Sequence, residues 1–436
     1  MLYTLFKQHP IVTTDSRDCP PGSLFFALKG DNFDGNRFAL QALEKGCAYA
    51  IVDDPELQAN PNCILVDDVL TALQQLAREH RRAMKTPIVG ITGTNGKTTT
   101  KELTAAVLRE RYQTLATEGN FNNDIGVPKT LLRLTESDQV AVVEMGASHP
   151  GDIKKLVEVV EPDCGLITNV GMAHLQGFGS FEGVVKTKGE LYDFLRQRPD
   201  STVFIDAGNP HLMQISQGLT LQKYQLVEEN LSTFTSQLSP SPILGHILSC
   251  APFLKMEWCR QGEPVHVVET HLIGTYNATN ILAAITVGLH FGVTPEQIDH
   301  AISSYVPTNN RSQLEVTDRN RLIVDAYNAN PTSMEAAITN FSRMEVSPKM
   351  AILGEMRELG EASRAAHEKV VAQLRDAHFD TVWLVGPEFA AIDSPFRTFA
   401  DVEEVKAVLT AAPPRDQYIL IKGSNGTRLY QLPPLL

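Results

Sequence analysis

A glycine-rich loop places the strongest constraint on how this chain can fold and what it can bind. The loop runs from 90 to 99 as Gly-Ile-Thr-Gly-Thr-Asn-Gly-Lys-Thr-Thr and follows the apolar pair Ile88-Val89. Between a strand and a helix N-terminus, such a loop lets backbone N–H groups approach phosphate oxygens, while Lys97 reaches the outer phosphates and Thr98 can ligate magnesium. The pattern predicts an ATP site formed by Gly93, Thr94, Asn95, Gly96, Lys97, Thr98 and Thr99.

The loop departs from the most common phosphate-loop spacing, which has a glycine at position 91, where this chain has isoleucine. A Gly-Lys-Thr triplet also occurs by chance in ordinary loops. The apolar strand before the loop, and the helical pattern from Lys101 to Arg111 after it, favour a functional loop over a chance match.

Length, composition and charge limit the class of protein. A chain of 436 residues exceeds what one hydrophobic core usually serves, so two or three domains are expected. The net charge of −13 argues against a general nucleic-acid binder. No apolar stretch approaches the roughly 18 residues of a membrane span, and residues 1–10 lack a signal-peptide core. We therefore expect a cytoplasmic protein without membrane insertion.

Alternating strand and helix patterns predict an α/β fold with three domains in series. A helical pattern over 69–84 is broken by Lys85-Thr86-Pro87, which makes 1–84 the first domain. The second domain, 85–306, has the pattern of a mostly parallel sheet around the phosphate loop, although its segment 207–268 is difficult to interpret. From 307 to 436 strands and helices alternate again, which predicts a doubly wound, Rossmann-like sheet.

Three ionisable side chains are candidates for the chemistry. Glu144 follows the apolar strand 140–143, at the end where parallel sheets bind ligands, and its carboxylate suits magnesium. A solvated loop glutamate is the alternative. His174 follows a strand at 166–168. A lone histidine is more often structural than a ligand, and the pattern leaves both interpretations of His174 open. Lys188 is typical of a solvated helix face, because lysine is among the commonest surface residues.

Polar and turn-forming residues cluster at several places. In the first domain, Asp15-Ser16-Arg17 and Phe33-Asp34-Gly35-Asn36 flank Lys29-Gly30. Asparagines cluster in 120–124 and again in 327–331. Such residues suit a phosphorylated, sugar or peptide-like ligand, but Asp, Asn and Gly also form turns that bind nothing. The residue types alone leave both interpretations open.

Taken together, these segments resemble the Mur ligases, a family of ATP-dependent amide-forming enzymes that build the peptide of bacterial cell-wall precursors. The resemblance covers nearly the whole chain. It implies that the loop at 93–99 binds ATP, that Glu144 binds a metal ion and that His174 is associated with that metal.

The same resemblance implies roles for further residues. The helix entry carrying Asn277 and Asn280 resembles the adenine side of the family's nucleotide site. Arg311 and Asp325 match residues that contact the nucleotide from the third domain. Lys188 aligns with a lysine that relatives carbamylate, a change that turns its ammonium into a carboxylate able to bind a second magnesium.

Within the family, the first domain resembles one that binds uridine diphosphate, which implies a substrate site formed by Ser16, Arg17, Gly30, Asp34 and Gly35. The asparagine-rich segments, and residues 354–360 with His367 downstream, resemble the ligase that adds D-alanyl-D-alanine. They imply peptide-substrate contacts from Asn122, Asn123, Asn328 and Asn330. Asn36 and Asn425 stand where histidine and arginine are common in the family. These differences affect individual contacts with the ligands more than the reaction itself.

The implied reaction joins D-alanyl-D-alanine to UDP-N-acetylmuramoyl-tripeptide through an acyl phosphate. It requires ATP and Mg²⁺, with metal contacts from Thr98, Glu144, His174 and Lys188, and we expect a monomer. Alternatives are the Mur ligase that forms the tripeptide, folylpolyglutamate synthase, and a non-catalytic nucleotide-binding regulator. The asparagine-rich segments favour the D-alanyl-D-alanine-adding ligase over the other two enzymes. The metal-binding carboxylate weighs against a regulator.

Overall fold

The computed structural model describes residues 2–30, 32–231, 242–308, 311 and 313–436. Their strands form sheets of four, nine and six strands and one two-stranded hairpin. Within these residues, no helix combines the length and the apolar character needed to cross a lipid bilayer. The fold is an α/β fold, as the alternating pattern predicts.

The first unit is a small parallel sheet with one long helix. Its elements are α1 (Leu2–Gln8), β1 (Val12–Thr13), β2 (Leu24–Phe26), β3 (Lys29–Gly30), β4 (Phe33–Asp34), α2 (Ala39–Glu44), β5 (Tyr49–Val52), β6 (Cys63–Leu65) and α3 (Val69–Met84). The strands lie in the order β1-β2-β5-β6 and are parallel, while β3 and β4 form the antiparallel hairpin. Asp68 caps α3 by accepting a hydrogen bond from the Thr71 N–H at 2.7 Å.

The central unit is built on the nine-stranded sheet. In chain order its elements are β7 (Ile88–Thr92), α4 (Lys97–Arg109), β8 (Thr114–Ala116), α5 (Gly126–Leu131), β9 (Val140–Glu144), α6 (Asp152–Val160), β10 (Cys164–Ile167), α7 (Leu175–Phe178), α8 (Phe181–Arg196), β11 (Thr202–Asp206), α9 (Pro210–Ile215), β12 (Leu221–Val227), β13 (Ile243–Cys250), β14 (Phe253–Arg260), β15 (His266–Ile273), α10 (Asn277–His290) and α11 (Pro295–Ser304). The strand order is β15-β14-β13-β12-β11-β10-β7-β9-β8.

This sheet is parallel from β8 to β13, and only β14 and β15 add antiparallel strands at its far edge. The segment 207–268 that was difficult to interpret supplies these outer strands. In β15 the side chains alternate between buried and more exposed positions along most of the strand, because one face packs on α11 while the other meets solvent. The helix predicted at Lys101 begins four residues earlier, at Lys97, and ends at Arg109 rather than Arg111.

The C-terminal unit is a doubly wound sheet. Its elements are β16 (Gln313–Val316), β17 (Arg321–Asp325), α12 (Pro331–Arg343), β18 (Lys349–Gly354), α13 (Ser363–Ala377), β19 (Thr381–Val385), α14 (Pro387–Ala390), β20 (Arg397–Phe399), α15 (Val402–Ala411) and β21 (Tyr418–Lys422). The order is β16-β17-β21-β18-β19-β20, with β16 antiparallel. One apolar cluster contains residues of α12 and α13, and a second contains residues of α15, so helices cover both faces.

The first and central units share one apolar cluster. Leu73 and Leu76 of α3 belong to it together with Phe26 of the first sheet and Val127 of the central unit. α3 contacts β2 of the first unit and α5 and α6 of the central unit. The boundary predicted after residue 84 therefore falls at the end of a helix that packs against both units.

The strand order also determines where the candidate site forms. β10, β7 and β9 are neighbours and run parallel, so their carboxyl ends meet at the same edge of the sheet. The phosphate loop follows β7, Glu144 ends β9, and Thr168 follows β10. Ligands bind in α/β proteins at such an edge.

Candidate active site

The phosphate loop connects β7 to α4 in a conformation that requires glycine at two positions. Gly93 and Gly96 have φ angles of 143° and 79°, where an L side chain is strained. A Cβ atom at Gly96 would lie 2.5 Å from Asn280 Oδ1, and one at Gly93 would overlap Thr168. Because α4 starts at Lys97, the N–H groups of its first turn lack helical partners and suit an anion.

Lys97 lies over the loop that precedes it. Its Nζ donates to the carbonyl oxygens of Gly93 and Thr94, both at 2.9 Å. Burial is the main cause that lowers the pKa of Lys97 to about 8, with Glu144 opposing this effect and Arg311 adding to it. A phosphate group beside this ammonium would favour its charged form, since an opposite charge nearby does so.

Glu144 is a buried carboxylate held on both oxygens by neutral donors. Thr98 Oγ1 donates to its Oε2 at 2.9 Å, and Asn122 Nδ2 donates to its Oε1 at 2.8 Å. Only 1% of Glu144 is exposed. Both of these donors are neutral, although burial of a charge without an opposite charge is costly. The arrangement is typical of a carboxylate prepared for a metal ion.

Thr168 and Asn169 hold the phosphate loop from the neighbouring strand end. Thr168 Oγ1 donates to Asn95 O at 2.6 Å, and Asn169 Nδ2 donates to the same oxygen at 2.9 Å. The Asn95 N–H in turn donates to Asn169 Oδ1 at 3.0 Å. Sequence reasoning did not single out these two residues. Their position directly after β10, beside β7, is the signal that identifies them.

Asn277 and Asn280 fix the start of α10 against α4. Asn277 Nδ2 donates to Ile273 O at 2.9 Å, and Asn280 Nδ2 donates to Asn277 Oδ1 at 2.9 Å. Thr100 Oγ1 donates to Asn280 Oδ1 at 3.1 Å. Both asparagines also line the cavity described below, so they combine a structural contact with a place in the cavity wall.

The C-terminal unit adds charged groups opposite the phosphate loop. The guanidinium carbon of Arg311 lies 4.0 Å from the centre of the Tyr327 ring. Asp325 Oδ2 accepts from the buried Lys422 Nζ at 2.5 Å, and Asn328 O accepts from the same ammonium at 3.3 Å. These contacts place a cation and a paired carboxylate in the wall of the cavity.

A direct contact joins the phosphate loop to the C-terminal unit. Asn330 Nδ2 donates to Asn95 Oδ1 at 2.7 Å. Asn330 also caps α12, because its Oδ1 accepts from the Ser333 N–H at 2.9 Å. Both the oxygen and the nitrogen of its amide are thus engaged at the junction between two units.

His174 and Lys188 are the two remaining residues that are predicted to contact the metal. His174 adopts a left-handed conformation with φ of 51°, and its Nδ1 forms a hydrogen bond with Glu358 of the C-terminal unit. Burial lowers the pKa of His174, with Glu358 opposing this effect. Lys188 is 2% exposed, and its Nζ donates to Ala147 O at 3.4 Å. Burial, together with the charge of Lys97, lowers the pKa of Lys188 to about 7.

These groups surround a cavity of about 690 Å³ between the central and C-terminal units. Its wall includes most of the predicted residues, namely Thr94, Asn95, Gly96, Lys97, Thr99, Asn122, Asn123, Glu144, His174, Asn277, Asn280, Arg311, Asp325 and Asn328. The other predicted residues near it, Gly93, Thr98, Lys188 and Asn330, are absent from this wall. Residues that sequence reasoning did not single out also line it, among them His149, Asp152, Lys155, Asn169, Thr332 and Ser333.

The predicted uridine-site residues lie in the first unit and do not line this cavity. Arg17 pairs with Asp15 at 2.7 Å, and the Ser16 carbonyl accepts from Lys45 Nζ at 2.6 Å. A Cβ atom on Gly35 would lie 2.5 Å from the Ala27 backbone, so this position requires glycine.

The hairpin that carries Gly30 and Asp34 has its own polar network. Asn36 Nδ2 donates to Asp34 Oδ1 at 3.0 Å and to Asp53 Oδ1 at 2.7 Å. Lys29 Nζ pairs with the same Asp53 oxygen at 2.8 Å. Asn36, which stands where histidine is common, therefore bridges two carboxylates.

Three family models match successive parts of the chain. Residues 10–81 match the Mur ligase family catalytic domain, 91–288 the Mur ligase middle domain, and 310–425 the Mur ligase glutamate ligase domain. The UDP-N-acetylmuramoyl-tripeptide–D-alanyl-D-alanine ligase of Bacillus subtilis is 35% identical over 97% of this chain and 92% of its own length.

Solved structures agree with these matches along almost the whole chain. MurF from Acinetobacter baumannii superposes with a TM-score of 0.84 and 28% identity, covering 97% of this chain and 92% of that one. MurF from Thermotoga maritima in complex with ADP also has a TM-score of 0.84, with 25% identity over 98% and 96% of the two chains. This chain therefore belongs to the Mur ligase family.

Proposed function

We propose that this protein joins D-alanyl-D-alanine to UDP-N-acetylmuramoyl-tripeptide, with ATP converted to ADP and phosphate. The observation that carries the proposal is one cavity that combines the phosphate loop, a buried carboxylate and the C-terminal groups Arg311 and Asp325. The relatives that match nearly the whole chain carry the name of this dipeptide-adding activity. The protein is an ATP-dependent amide-forming ligase of peptidoglycan synthesis, and we place it in the cytoplasm as a monomer.

The reaction has two steps. The terminal carboxylate of the tripeptide attacks the γ-phosphorus of ATP, which forms an acyl phosphate and releases ADP. The free amine of D-alanyl-D-alanine then attacks the acyl carbon, loses a proton and expels phosphate. Lys97 and the N-terminal turn of α4 stabilise the negative charge on the transferring group, because phosphoryl transfer depends mainly on positioning and electrostatics. No protein nucleophile is required.

Mg²⁺ fits the oxygen ligands that this site offers. Thr98 and Glu144 would hold it, and its remaining positions suit phosphate oxygens and water, as is usual for this ion. Among the described residues, no group of three or more His, Cys, Asp or Glu side chains could hold a metal by itself. The bound ion would neutralise charge on the phosphates. We include His174 and a carbamylated Lys188 as further metal contacts.

The C-terminal unit contributes by closing over the nucleotide. Asn330 contacts Asn95 in the phosphate loop, and Glu358 contacts His174 beyond it. Arg311 and Asp325 then face the ATP site from the opposite wall. Closure protects an acyl phosphate from hydrolysis by excluding water. Slow ATP hydrolysis in the absence of the other two substrates is the expected consequence.

We assign the uridine group to the first unit, with Ser16, Arg17, Gly30, Asp34 and Gly35 around it. Asn123 and Asn328 line the cavity and can reach the peptide part of the substrate. The amide nitrogens of Asn122 and Asn330 donate to Glu144 and Asn95, so we favour a positioning role for these two.

The test mixes the protein with ATP, Mg²⁺ and UDP-N-acetylmuramoyl-tripeptide and follows product mass after addition of D-alanyl-D-alanine. A pentapeptide product with phosphate release is expected. A parallel reaction supplies UDP-N-acetylmuramoyl-dipeptide with diaminopimelate or lysine. Product only in the second reaction would move the assignment to the tripeptide-forming ligase, and no product in either would favour a nucleotide-binding regulator.

A further inference from the structure

Lys101 is a buried cation that no step proposed above uses. It lies on α4, three residues after Thr98, and is 0% exposed. Its Nζ donates to Thr117 O at 2.5 Å and to Glu102 Oε1 at 2.7 Å. Burial of an ammonium costs more free energy than burial of an apolar side chain of similar length. Packing alone therefore does not account for a lysine at this position.

Thr117 connects this cation to the carboxylate of the metal site. It follows β8 directly, and only 1% of it is exposed. Its N–H donates to Val142 O at 3.0 Å, and its Oγ1 accepts from the Glu144 N–H at 3.0 Å. The ammonium of Lys101 is thus bonded to the residue that fixes the backbone of Glu144.

Two links join α4 to the end of β9. Thr98 and Lys101 are three residues apart and therefore lie on the same side of the helix. Thr98 reaches the Glu144 carboxylate directly, at 2.9 Å. Lys101 reaches the Glu144 backbone through Thr117. If the link through Thr117 were lost, only the hydrogen bond between Thr98 and Glu144 would control the distance between these two metal-binding side chains.

We propose that Lys101 is a positioning residue for the divalent cation, which fixes Thr117 and thereby the approach of Thr98 to Glu144. The identity of the cation rests on the proposed function, whereas the contacts of Lys101 do not. Residues that orient metal ligands without touching the metal typically change its affinity by about 10- to 100-fold when they are replaced.

The experiment compares Lys101→Met with Leu108→Ala on the same helix. Lys101→Met keeps most of the length of the side chain but removes its ammonium group. Leu108 is buried and its apolar side chain makes no hydrogen bond, so its truncation weakens the fold through a cavity. The first measurement is hydrogen–deuterium exchange of peptides covering 114–124 and 140–146 in the nucleotide-free protein. The second is the Mg²⁺ concentration that gives half-maximal ligation.

Lys101→Met should speed exchange in both peptides and raise the half-maximal Mg²⁺ concentration about 10-fold or more. The KM for D-alanyl-D-alanine should stay within about twofold, and Lys101→Arg should recover part of the loss because it keeps a donor. Leu108→Ala should leave the Mg²⁺ requirement unchanged. An unchanged requirement in Lys101→Met, or an equal shift in Leu108→Ala, would overturn the proposal.

A second variant covers the case in which Lys101→Met does not fold. Thr117→Val keeps the carbonyl that binds Lys101 but removes the acceptor for the Glu144 N–H. It must produce the same two changes, and their absence would overturn the inference. Failure of the wild-type protein to ligate would instead contradict the proposed function, while the exchange measurement would still decide the role of Lys101.

Discussion

At the scale of single residues, Gly96 and Gly218 separate the two effects of adding a side chain, which are steric contact and backbone strain. Gly96 and Gly218 share a φ angle of 79°, but a Cβ atom would meet Asn280 at 2.5 Å in the first case and nothing within 4 Å in the second. Gly218→Ala should cost about 1 kcal/mol of stability from strain alone. Gly96→Ala should in addition lose ADP binding, measured by calorimetry, and equal ADP affinity in both variants would contradict this account.

Lys97 and Glu144 are predicted to act in the chemistry rather than in the fold. Lys97→Ala should reduce kcat by about 10²- to 10³-fold, since one electrostatic contact to a transition state commonly contributes this much. Glu144→Ala should reduce it similarly through loss of the metal. Lys186→Ala, which removes an exposed lysine on α8, is the matched control and should retain full activity. Unaltered ligation in both site variants would remove them from the mechanism.

At the scale of elements, the sequence predicted those whose pattern is local. The run 69–84 predicts α3 to the residue, and Lys-Thr-Pro marks its end. In the structure, Asp68 caps its start. Strands β12 to β15 were not predicted. Strands that face helices on one side and solvent on the other lack the continuous apolar run that marks a fully buried strand.

The same limit applies to the site. Glu144 and the phosphate loop stand directly after apolar strands, so the sequence predicts them. Asn169 also stands directly after a strand, but only the fold shows that this strand, β10, lies beside β7 and brings Asn169 to Asn95. The burial of Lys101 likewise becomes visible only through its contact with Thr117. Lysine on a helix predicts exposure, and nothing in the local sequence indicates that this one is buried.

The start of α12 couples a helix cap to a contact between units. Asn330 Oδ1 caps the helix, while its Nδ2 donates to Asn95. Asn330→Asp keeps the cap oxygen but removes the donor, so α12 should remain stable while kcat falls about 10-fold through loss of one buried hydrogen bond. Asn330→Ala should also lose about 1 kcal/mol from the cap. Equal kcat in wild type and Asn330→Asp, at unchanged melting temperature, would exclude a role in closure.

At the scale of the whole molecule, buried neutral histidines make stability depend on pH. His80, His290 and His367 lie in different parts of the fold, and burial lowers the pKa of each. His367 is 0% exposed, and its Nε2 accepts from the Met356 N–H at 3.0 Å, which requires a neutral ring. Its Nδ1 donates to Ser363 O at 2.8 Å. Protonation would remove the acceptor that Met356 uses.

The sign of the effect follows from the lowered pKa. Below the unfolded value of about 6.5, the unfolded chain binds a proton that the folded chain does not, so stability falls as pH decreases. Each such histidine contributes a slope of up to about 1.4 kcal/mol per pH unit until its folded pKa is reached. Lys97 and Lys188 titrate at about 8 and about 7, above this range. The loss of stability between pH 6.5 and 5 should therefore come from proton uptake by these histidines on unfolding.

Melting temperature against pH tests this prediction in a protein whose three units need not unfold as one. His367→Gln should be less stable than wild type at pH 7.5, because the contact with Met356 is disturbed, and the difference should narrow toward pH 5 as the wild type loses its own histidine contribution. His149→Gln is the control, since 69% of the His149 side chain is exposed, and it should follow the wild-type curve. A constant difference between His367→Gln and wild type would show that His367 contributes packing alone.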